Sequence, residues 1–340
     1  MKRNVAILGA TGAVGREFVS ILQERNWDIG ELRLLASSRS AGVDASFNSQ
    51  TIRVQEVGPE SFKGIDIALF SAGAGPSRTW APIAVKSGAR VVDNSSAFRM
   101  DADVPLVVPE INADAIGEAR IIANPNCSTI IMNMAVWPLH QRRSVKRIVV
   151  STYQAASGAG WQAMQELEDQ SRDILAGKPA APKVFPHAIA FNLFSHNTTI
   201  GADGYNVEES KMILETRKIF RAPELAITAT CIRVPVLRAH SESINLTFAE
   251  TMSEQEAREV LSAAPGVTVV DDRANNRFPM PIEASGKDDV LVGRIRQDAS
   301  QPDGRGIDLF VSGDQLRKGA ALNAVQIAEA LTDIHLRIRP

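Results

Sequence analysis

Cysteine is scarce in this chain: Cys127 and Cys231 are the whole complement among 340 residues. Two thiols about 100 positions apart build neither a disulfide framework nor a metal-ligand cluster, so no metal is expected and a reducing cytoplasm is the expected setting. Basic charge is not in excess either. The 37 Lys and Arg against 39 Asp and Glu leave a net charge of -2, which argues against nucleic acid as a partner. No stretch approaches the roughly 18 apolar residues of a membrane-spanning helix, so no membrane is expected as a partner. The opening MKRNVAILGATGAVG has a basic head, but glycines break its apolar part, unlike a secretory signal. Internal repeats and low-complexity tracts are missing as well. What is present is an ordinary globular composition, 44% hydrophobic and 22% charged, on a chain longer than one core usually organises. Two domains are expected.

The segment NVAILGATGAVGREFVSIL reads as strand, glycine turn and helix, with Val14, Phe18, Ile21 and Leu22 as the helix's apolar positions. Gly9, Gly12 and Gly15 follow G-x-x-G-x-x-G, one residue longer in the first interval than the dinucleotide fingerprint. Residues without Cβ let such a turn close and let backbone amides approach a pyrophosphate at the helix's positive end. The spacing also suits a plain strand-to-helix turn, so the next strand matters. That strand, ELRLLAS, ends in Ser37, Ser38, Arg39 and Ser40, where NAD enzymes carry a carboxylate for the ribose 2′-hydroxyl. Hydroxyls and a guanidinium suit a 2′-phosphate, which favours NADP over NAD, although a solvated polar loop has the same composition. Further strands are expected at TIRVQEV, IDIALFSA, RVVDNSS, LVVPEI and RIIANP, with a helix over SRTWAPIAVKSG. Together they predict a largely parallel sheet. The small residues Ser71 to Gly75 end one of these strands, where a cofactor could lie close against the backbone.

Cys127 follows RIIANP and opens an apolar, helix-like stretch from Ser128 to Trp137 that Pro138 is expected to end. A thiolate at a helix N-terminus is stabilised by the dipole and free amides, and the thiolate is the nucleophile. Its neighbours Pro125, Asn126, Ser128 and Thr129 suit a turn and cap better than a core, whereas Cys231, inside the strand-like AITATCIRVPV, reads as a core residue. A nicotinamide site with a cysteine nucleophile suggests aldehyde oxidation through a thiohemiacetal and a thioester.

The blocks GATGAVG, LASSRSAG, DNSSAFRMDADVPLVVPEIN, NPNCSTI, GYNVEESKMILETRKI, RVPVLRAHSE and LRKGAALNAVQIAE together resemble the aspartate-semialdehyde dehydrogenase family of the bacterial type, over nearly the whole chain. The resemblance implies an α/β chain with a Rossmann-type dinucleotide-binding domain and an α+β catalytic and dimerisation domain with a mixed sheet, like glyceraldehyde-3-phosphate dehydrogenase. It implies domains at 1–126 plus 313–340 and at 127–312, and a homodimer. The implied reaction is phosphorylating oxidation of L-aspartate 4-semialdehyde with NADP and inorganic phosphate. Physiologically it runs in reverse from L-4-aspartyl phosphate, on the route to lysine, methionine, threonine and isoleucine.

Carried over by position, the resemblance makes Cys127 the nucleophile, His240 the general acid and base, and Gln154 a residue that helps hold substrate and intermediate. Arg233 would grip the substrate carboxylate, Glu208 its ammonium group, and Lys211 the phosphate. Arg99 would bind phosphate as well, with Asn126 also lining the substrate. NADP would meet Gly9, Ala10, Thr11, Gly12, Ala13 and Val14, then Ser37, Ser38, Arg39 and Ser40. Further contacts would come from Ser71, Ala72, Gly73, Asn94, Ser157, Gly158 and Asn323. His140, His187, His196 and His335 match no catalytic position.

From Lys146 the pattern changes. KRIVVSTYQAAS reads as a strand, WQAMQELEDQSRDILAG as a helix, and AITATCIRVPV, SINLTFAE and GVTVVDD as strands, while KPAAPKVFPHAIAFNLF is expected to be an extended surface segment. DQLRKGAALNAVQIAEAL is expected to be one helix, with Gln315 where the family leads one to expect asparagine. Phe191 to Gly204 is where members differ, which points to the dimer interface more than to catalysis. The rival readings are N-acetyl-γ-glutamyl-phosphate reductase, whose acylated substrate has no ammonium for Glu208, and a non-catalytic NADP-binding regulator, which has no need of Cys127 with His240.

Overall fold

In the computed structural model, residues 2–331 are described, and His335 lies outside them. The chain forms two compact units. One takes the described residues up to Asn126 and again from Ala320, and the other runs from Cys127 to Gly319.

The first unit opens with β1 (Arg3–Leu8), whose Val5 to Leu8 are all buried, as in a strand covered on both faces. Its sheet adds β2 (Ile29–Ala36), β5 (Gln55–Glu56), β6 (Ile67–Phe70), β7 (Arg90–Asp93) and β8 (Ile121–Ala123), all parallel, in the order β5-β2-β1-β6-β7-β8. Side chains alternate between the two faces. Val5, Ile7 and Leu34 pack with Phe18, Ile21 and Leu22 of α1 (Ala13–Glu24), whereas Ala6, Leu8 and Phe70 pack with Phe62 and with Ala81 and Ala84 of α2 (Ala74–Lys86). The strand order reverses between β1 and β6, so the turns after these two strands lie at a topological switch point, where open α/β sheets bind ligands.

Two expectations fail here. TIRVQEV is divided: β4 (Gln50–Arg53) pairs with β3 (Asp44–Phe47) in an antiparallel hairpin, and only Gln55–Glu56 joins the main sheet. LVVPEI contributes a single bridge at Leu106 and then the short helix α3 (Pro109–Asn112). Pro109 cannot donate to a ladder but suits the first turn of a helix.

The second unit begins with α4 (Cys127–Arg142), in which Ser128 to Val136 are all buried. A helix apolar on every side is a core helix. It runs through Pro138, contrary to expectation. An interior proline costs about 3 kcal/mol, and burial along the helix outweighs that cost. The sheet here has seven strands in the order β10-β11-β9-β12-β15-β14-β13. They are β9 (Val145–Gln154), β10 (Phe194–Ser195), β11 (Ala226–Arg233), β12 (His240–Phe248), β13 (Val267–Val269), β14 (Val290–Gln297) and β15 (Gly306–Gly313). The pairs β11/β9 and β13/β14 are parallel and the rest antiparallel, so the sheet is mixed.

Helix α4 packs on this sheet with α6 (Val207–Phe220), following α5 (Trp161–Leu175), and with α7 (Glu254–Ser262). Strands β14 and β15 have no counterpart among the expected strands. The proline-rich segment is irregular, but Phe185, Ile189 and Ala190 are buried in a small core with Leu167, so it is not a surface strap throughout. After the short α8 (Pro281–Ala284), the expected C-terminal helix comes in two pieces, a π-helical turn at Arg317–Ala321 and then α9 (Leu322–Leu331). Val325, Ile327 and Ala328 of α9 are buried in the first unit's core with Phe18 and Leu22.

Candidate active site

In the first unit the glycine turn is set by contact. Gly9 has φ +90, and a Cβ on it would come within 2.8 Å of the Ser71 carbonyl carbon, so the turns after β1 and β6 touch through backbone. A Cβ on Gly15 would lie 2.2 Å from the Gly9 oxygen. The N-terminus of α1 has Gly12 as its cap, with no side-chain capping bond and no acidic residue in the first turn. Helix α2 likewise starts uncapped at Gly73, φ +93. Two uncapped helix starts at one switch point can receive an anion on their amides. Ser37, Ser38 and Arg39 lie exposed in the turn after β2, closed by Ser40 N–H donating to Ser37 O at 2.9 Å. Ser71 Oγ and Asn94 Nδ2, at the ends of β6 and β7, are buried with no hydrogen-bond partner. Unpaired buried polar atoms are costly, so these two suit contact with a bound molecule. The cradle therefore fits a dinucleotide.

The loop after β7 is organised by buried Asp93, which accepts from Ser77 Oγ at 2.7 Å and from Ser95 N at 3.1 Å and Oγ at 2.7 Å. Arg99 is buried, with Nε donating to Asn124 O at 2.9 Å and Nη2 to Asn94 O at 2.8 Å. Asn323 Nδ2 donates to Val107 O at 2.9 Å and to Asn124 Oδ1 at 2.7 Å, and Asn124 Nδ2 donates to Asn94 Oδ1 at 2.6 Å. Asn126, also buried, directly precedes Cys127 in the chain.

In the second unit Cys127 is half-buried at the first position of α4. The next residue, Ser128, accepts a hydrogen bond from Gln154 Nε2 at 2.9 Å, and the same amide donates to Glu208 Oε1 at 3.2 Å. Gln154 ends β9, and the peptide after it serves two neighbours. Ala155 N–H donates to His240 Nδ1 at 3.0 Å, while Ala155 O accepts from Arg233 Nη1 at 3.0 Å. Gly158 stands over both, since a Cβ there would lie 3.0 Å from His240 Cε1 and 3.1 Å from Arg233 Nη1. Glu208 is buried and accepts from Lys211 Nζ at 3.1 Å, one turn along α6.

Because a backbone N–H can only donate, His240 Nδ1 is the acceptor and the hydrogen of the neutral ring sits on Nε2. Nε2 is buried and without a partner, as are Gln154 Oε1 and Arg233 Nε. The cluster thus presents one acceptor and two donors that no other described residue satisfies. Burial, with some help from Arg233 and against the pull of Glu208, lowers the His240 pKa to about 3, so the ring is neutral at physiological pH. Burial also lowers the pKa of Arg233, while Glu208 and the Cys127 sulfur act to raise it. Cys231 is unlike Cys127: it is fully buried, its thiol is pushed far up by burial, and it donates to Met212 Sδ at 3.6 Å.

The expected catalytic and substrate residues Cys127, Gln154, Glu208, Lys211, Arg233 and His240 all belong to the second unit, with Ser157 and Gly158, whereas Arg99, Asn126 and Asn323 belong to the first. Several contributors had no site role in the sequence reading. Gln315 accepts from Ala239 N at 2.9 Å and donates to Ser157 Oγ, tying the residue before His240 to the turn that carries Gly158. Gly319 is needed for clearance, since a Cβ on it would lie 3.0 Å from Cys127 Cβ. His196, which matched no catalytic position, accepts from Arg233 Nη2 at 2.7 Å. His140 is structural, its Nδ1 accepting from Val145 N at 3.1 Å and its ring stacked on Trp137.

Known proteins match each of the two units. Residues 4–119 match the family described as semialdehyde dehydrogenase, NAD binding domain, and residues 136–318 match semialdehyde dehydrogenase, dimerisation domain. An aspartate-semialdehyde dehydrogenase of Synechocystis sp. is 57% identical over 97% of both chains. A crystal structure of aspartate semialdehyde dehydrogenase II complexed with ASA, from Vibrio cholerae, is 45% identical, covers 98% of this chain and 99% of its own, and superposes with a TM-score of 0.94. The enzyme of Candida albicans, solved with NADP, is 27% identical over 98% of this chain and 99% of its own, with a TM-score of 0.75. With a dinucleotide cradle in one unit and a thiol at the head of a buried helix in the other, this chain is an oxidoreductase that belongs to the aspartate-semialdehyde dehydrogenase family.

Proposed function

We propose that this protein catalyses the reversible reductive dephosphorylation of L-4-aspartyl phosphate to L-aspartate 4-semialdehyde, with NADP as cofactor and inorganic phosphate as the third reactant. The observation that carries this reading is the cluster around Cys127, in which Gln154 Oε1, Arg233 Nε and His240 Nε2 are buried without partners. In the oxidative direction the Cys127 thiolate adds to the C4 aldehyde to give a thiohemiacetal, and a hydride leaves C4 as the thioester forms. Phosphate then attacks the thioester carbonyl, the C–S bond breaks, and the thiolate returns. NADP, when bound, supplies the hydride acceptor.

Each residue has a role under this reading. His240 donates its Nε2–H to the oxygen that gains charge at C4, as an oxyanion donor. The general-base half of the role implied by the resemblance would require the ring to give up its bond to the Ala155 amide. Arg233 takes the substrate carboxylate, and Glu208 takes the ammonium, which an N-acetylated substrate would lack. Gln154 holds the acyl group. Lys211 and Arg99 bind phosphate, with Asn126 lining the substrate. Gly9 to Val14, Ser71 to Gly73, Asn94, Ser157, Gly158 and Asn323 hold NADP, and Ser37 to Ser40 read its 2′-phosphate.

The first unit would then be the NADP-binding domain and the second the catalytic and dimerisation domain, in a cytoplasmic homodimer. A half-exposed face of the second sheet, with Tyr153 and Phe310 in ring contact, supports the dimer. Among the described residues no helix is long and apolar enough to cross a membrane.

The test is formation of NADPH from L-aspartate 4-semialdehyde with and without phosphate, and with NAD in place of NADP. Rapid reduction that needs phosphate and prefers NADP is expected. Reduction that ignores phosphate would remove the acyl-phosphate step, and none at all would remove the substrate.

A further inference from the structure

Arg233 is held by this unit's own atoms on several sides. Nη1 donates to Ala155 O at 3.0 Å, the guanidinium lies 5.4 Å above the Phe185 ring, and Nη2 donates to His196 Nε2 at 2.7 Å. A guanidinium has no lone pair to offer, so His196 Nε2 is the acceptor and the ring hydrogen is on Nδ1. Nδ1 then donates to Thr198 Oγ1 at 3.3 Å. That hydroxyl also accepts from Glu208 N at 3.2 Å and donates to Asn206 Oδ1 at 3.5 Å. Asn206 is the N-cap of α6, in a capping box with Glu209. One hydrogen-bonded path therefore runs from Arg233 to the first turn of α6, which carries Glu208.

The segment that carries this path is anchored at both ends. Phe194 of β10 lies opposite Arg233 of β11, His196 N donates to Cys231 O at 2.8 Å, and Val207 N donates to Thr199 O at 3.0 Å. We propose that His196 is a positioning residue for Arg233, and that the strap from 195 to 206 sets the spacing between Arg233 and Glu208 and so selects substrates bearing both a carboxylate and an ammonium group. This rests on the reading of Arg233 and Glu208 given above.

The choice of imidazole has a physical reason. Burial holds the His196 pKa at about 4, with Glu208 pulling the other way and Arg233 and Lys211 adding to the depression, so the ring is uncharged at neutral pH. An uncharged acceptor orients the guanidinium fork without cancelling the charge that a substrate carboxylate needs. A carboxylate in its place would orient the fork equally well and compete with the substrate.

The test compares L-aspartate 4-semialdehyde with 3-aminopropanal, which keeps the amine and aldehyde but lacks the carboxylate. His196→Ala should lower kcat/KM for the semialdehyde about tenfold, mainly through KM, and leave 3-aminopropanal within about twofold. His196→Gln, whose Oε1 can accept the same Nη2 hydrogen, should restore most of the loss. An equal fall for both substrates, no change for either, or a glutamine variant no better than alanine would each overturn the proposal. Arg233→Ala is the control for the reading beneath it. If that variant still discriminates the two substrates, Arg233 is not the carboxylate binder; if it does not, while His196→Ala behaves as wild type, only the strap's role is lost.

Discussion

His240 and Glu242 lie two residues apart on β12, both fully buried, and burial moves them in opposite directions. Burial lowers the His240 pKa to about 3, so its ring is neutral at pH 7, and holds the Glu242 carboxyl well above the usual carboxylate range. Neither Glu242 oxygen has a partner among the described residues, which makes its charged form costly. Glu242 therefore keeps a proton in the folded state that the unfolded chain releases above about pH 4.5. Its own contribution to stability falls as pH rises beyond that value, by up to about 1.4 kcal/mol per unit, while His240 acts in the opposite sense until the unfolded imidazole has lost its proton near pH 6.5. Glu242→Gln cannot ionise and should flatten this fall. Urea unfolding at pH 5, 7 and 9 would show it, and parallel curves for variant and wild type would count against a raised Glu242 pKa. Cys127 is tested more directly. Cys127→Ala should cut turnover by on the order of a thousandfold while leaving NADP affinity nearly unchanged, and substantial turnover would end its assignment as nucleophile. Arg39 is exposed in the turn after β2, so Arg39→Asp should weaken NADP about tenfold or more and NAD far less. An unchanged ratio of the two dissociation constants would mean that another group reads the 2′-phosphate.

At the scale of elements, the short 3₁₀ turn Ala156–Ala159 is a platform for the thiol cluster. Its amides at Ala156 and Ser157 donate to Val236 O at 2.8 Å and Leu237 O at 3.0 Å, which brings Gly158 over His240 and Arg233. A methyl at Gly158 would need room that two buried, hydrogen-bonded side chains do not have. Gly158→Ala should lower kcat/KM at least about tenfold, with some loss of stability because two buried side chains must shift. Normal kinetics would mean that the ring and fork move aside freely. The sequence placed Gly158 with the cofactor residues from resemblance, and only the fold reveals this clearance. Strands β1, β2, β6, β7 and β9 and helices α1 and α5 were legible because apolar runs and helical spacing report burial directly. β14 and β15 were not, since their partners are remote in sequence. Pro138 misled for the same reason: a local breaker loses to burial along the whole of α4.

At the scale of the whole molecule, the second unit's sheet has a covered and a half-open face. Ile148, Val150, Thr152 and Gln154 of β9 are buried, while Arg147 and Tyr153, facing the other way, are exposed. If the open face joins two copies, light scattering should give the mass of a dimer, and Tyr153→Arg should shift it toward one chain. A dimer unaffected by that substitution would move the interface elsewhere. The sequence by itself determined the chemistry on offer: a glycine turn after a strand, polar residues in place of a carboxylate after β2, and one cysteine at a helix start. These are local, because a turn needs residues without Cβ and a nucleophile needs free amides beside it. Tertiary structure decided which groups meet and in what protonation state. Ala155 directs the hydrogen of His240 to Nε2, Gln315 ties Ala239 to Ser157, and His196 turns from an unassigned residue into the partner of Arg233. Hydrogen bonds between residues tens of positions apart, and the burial that shifts their pKa values, exist only once the sheet has brought its strands together.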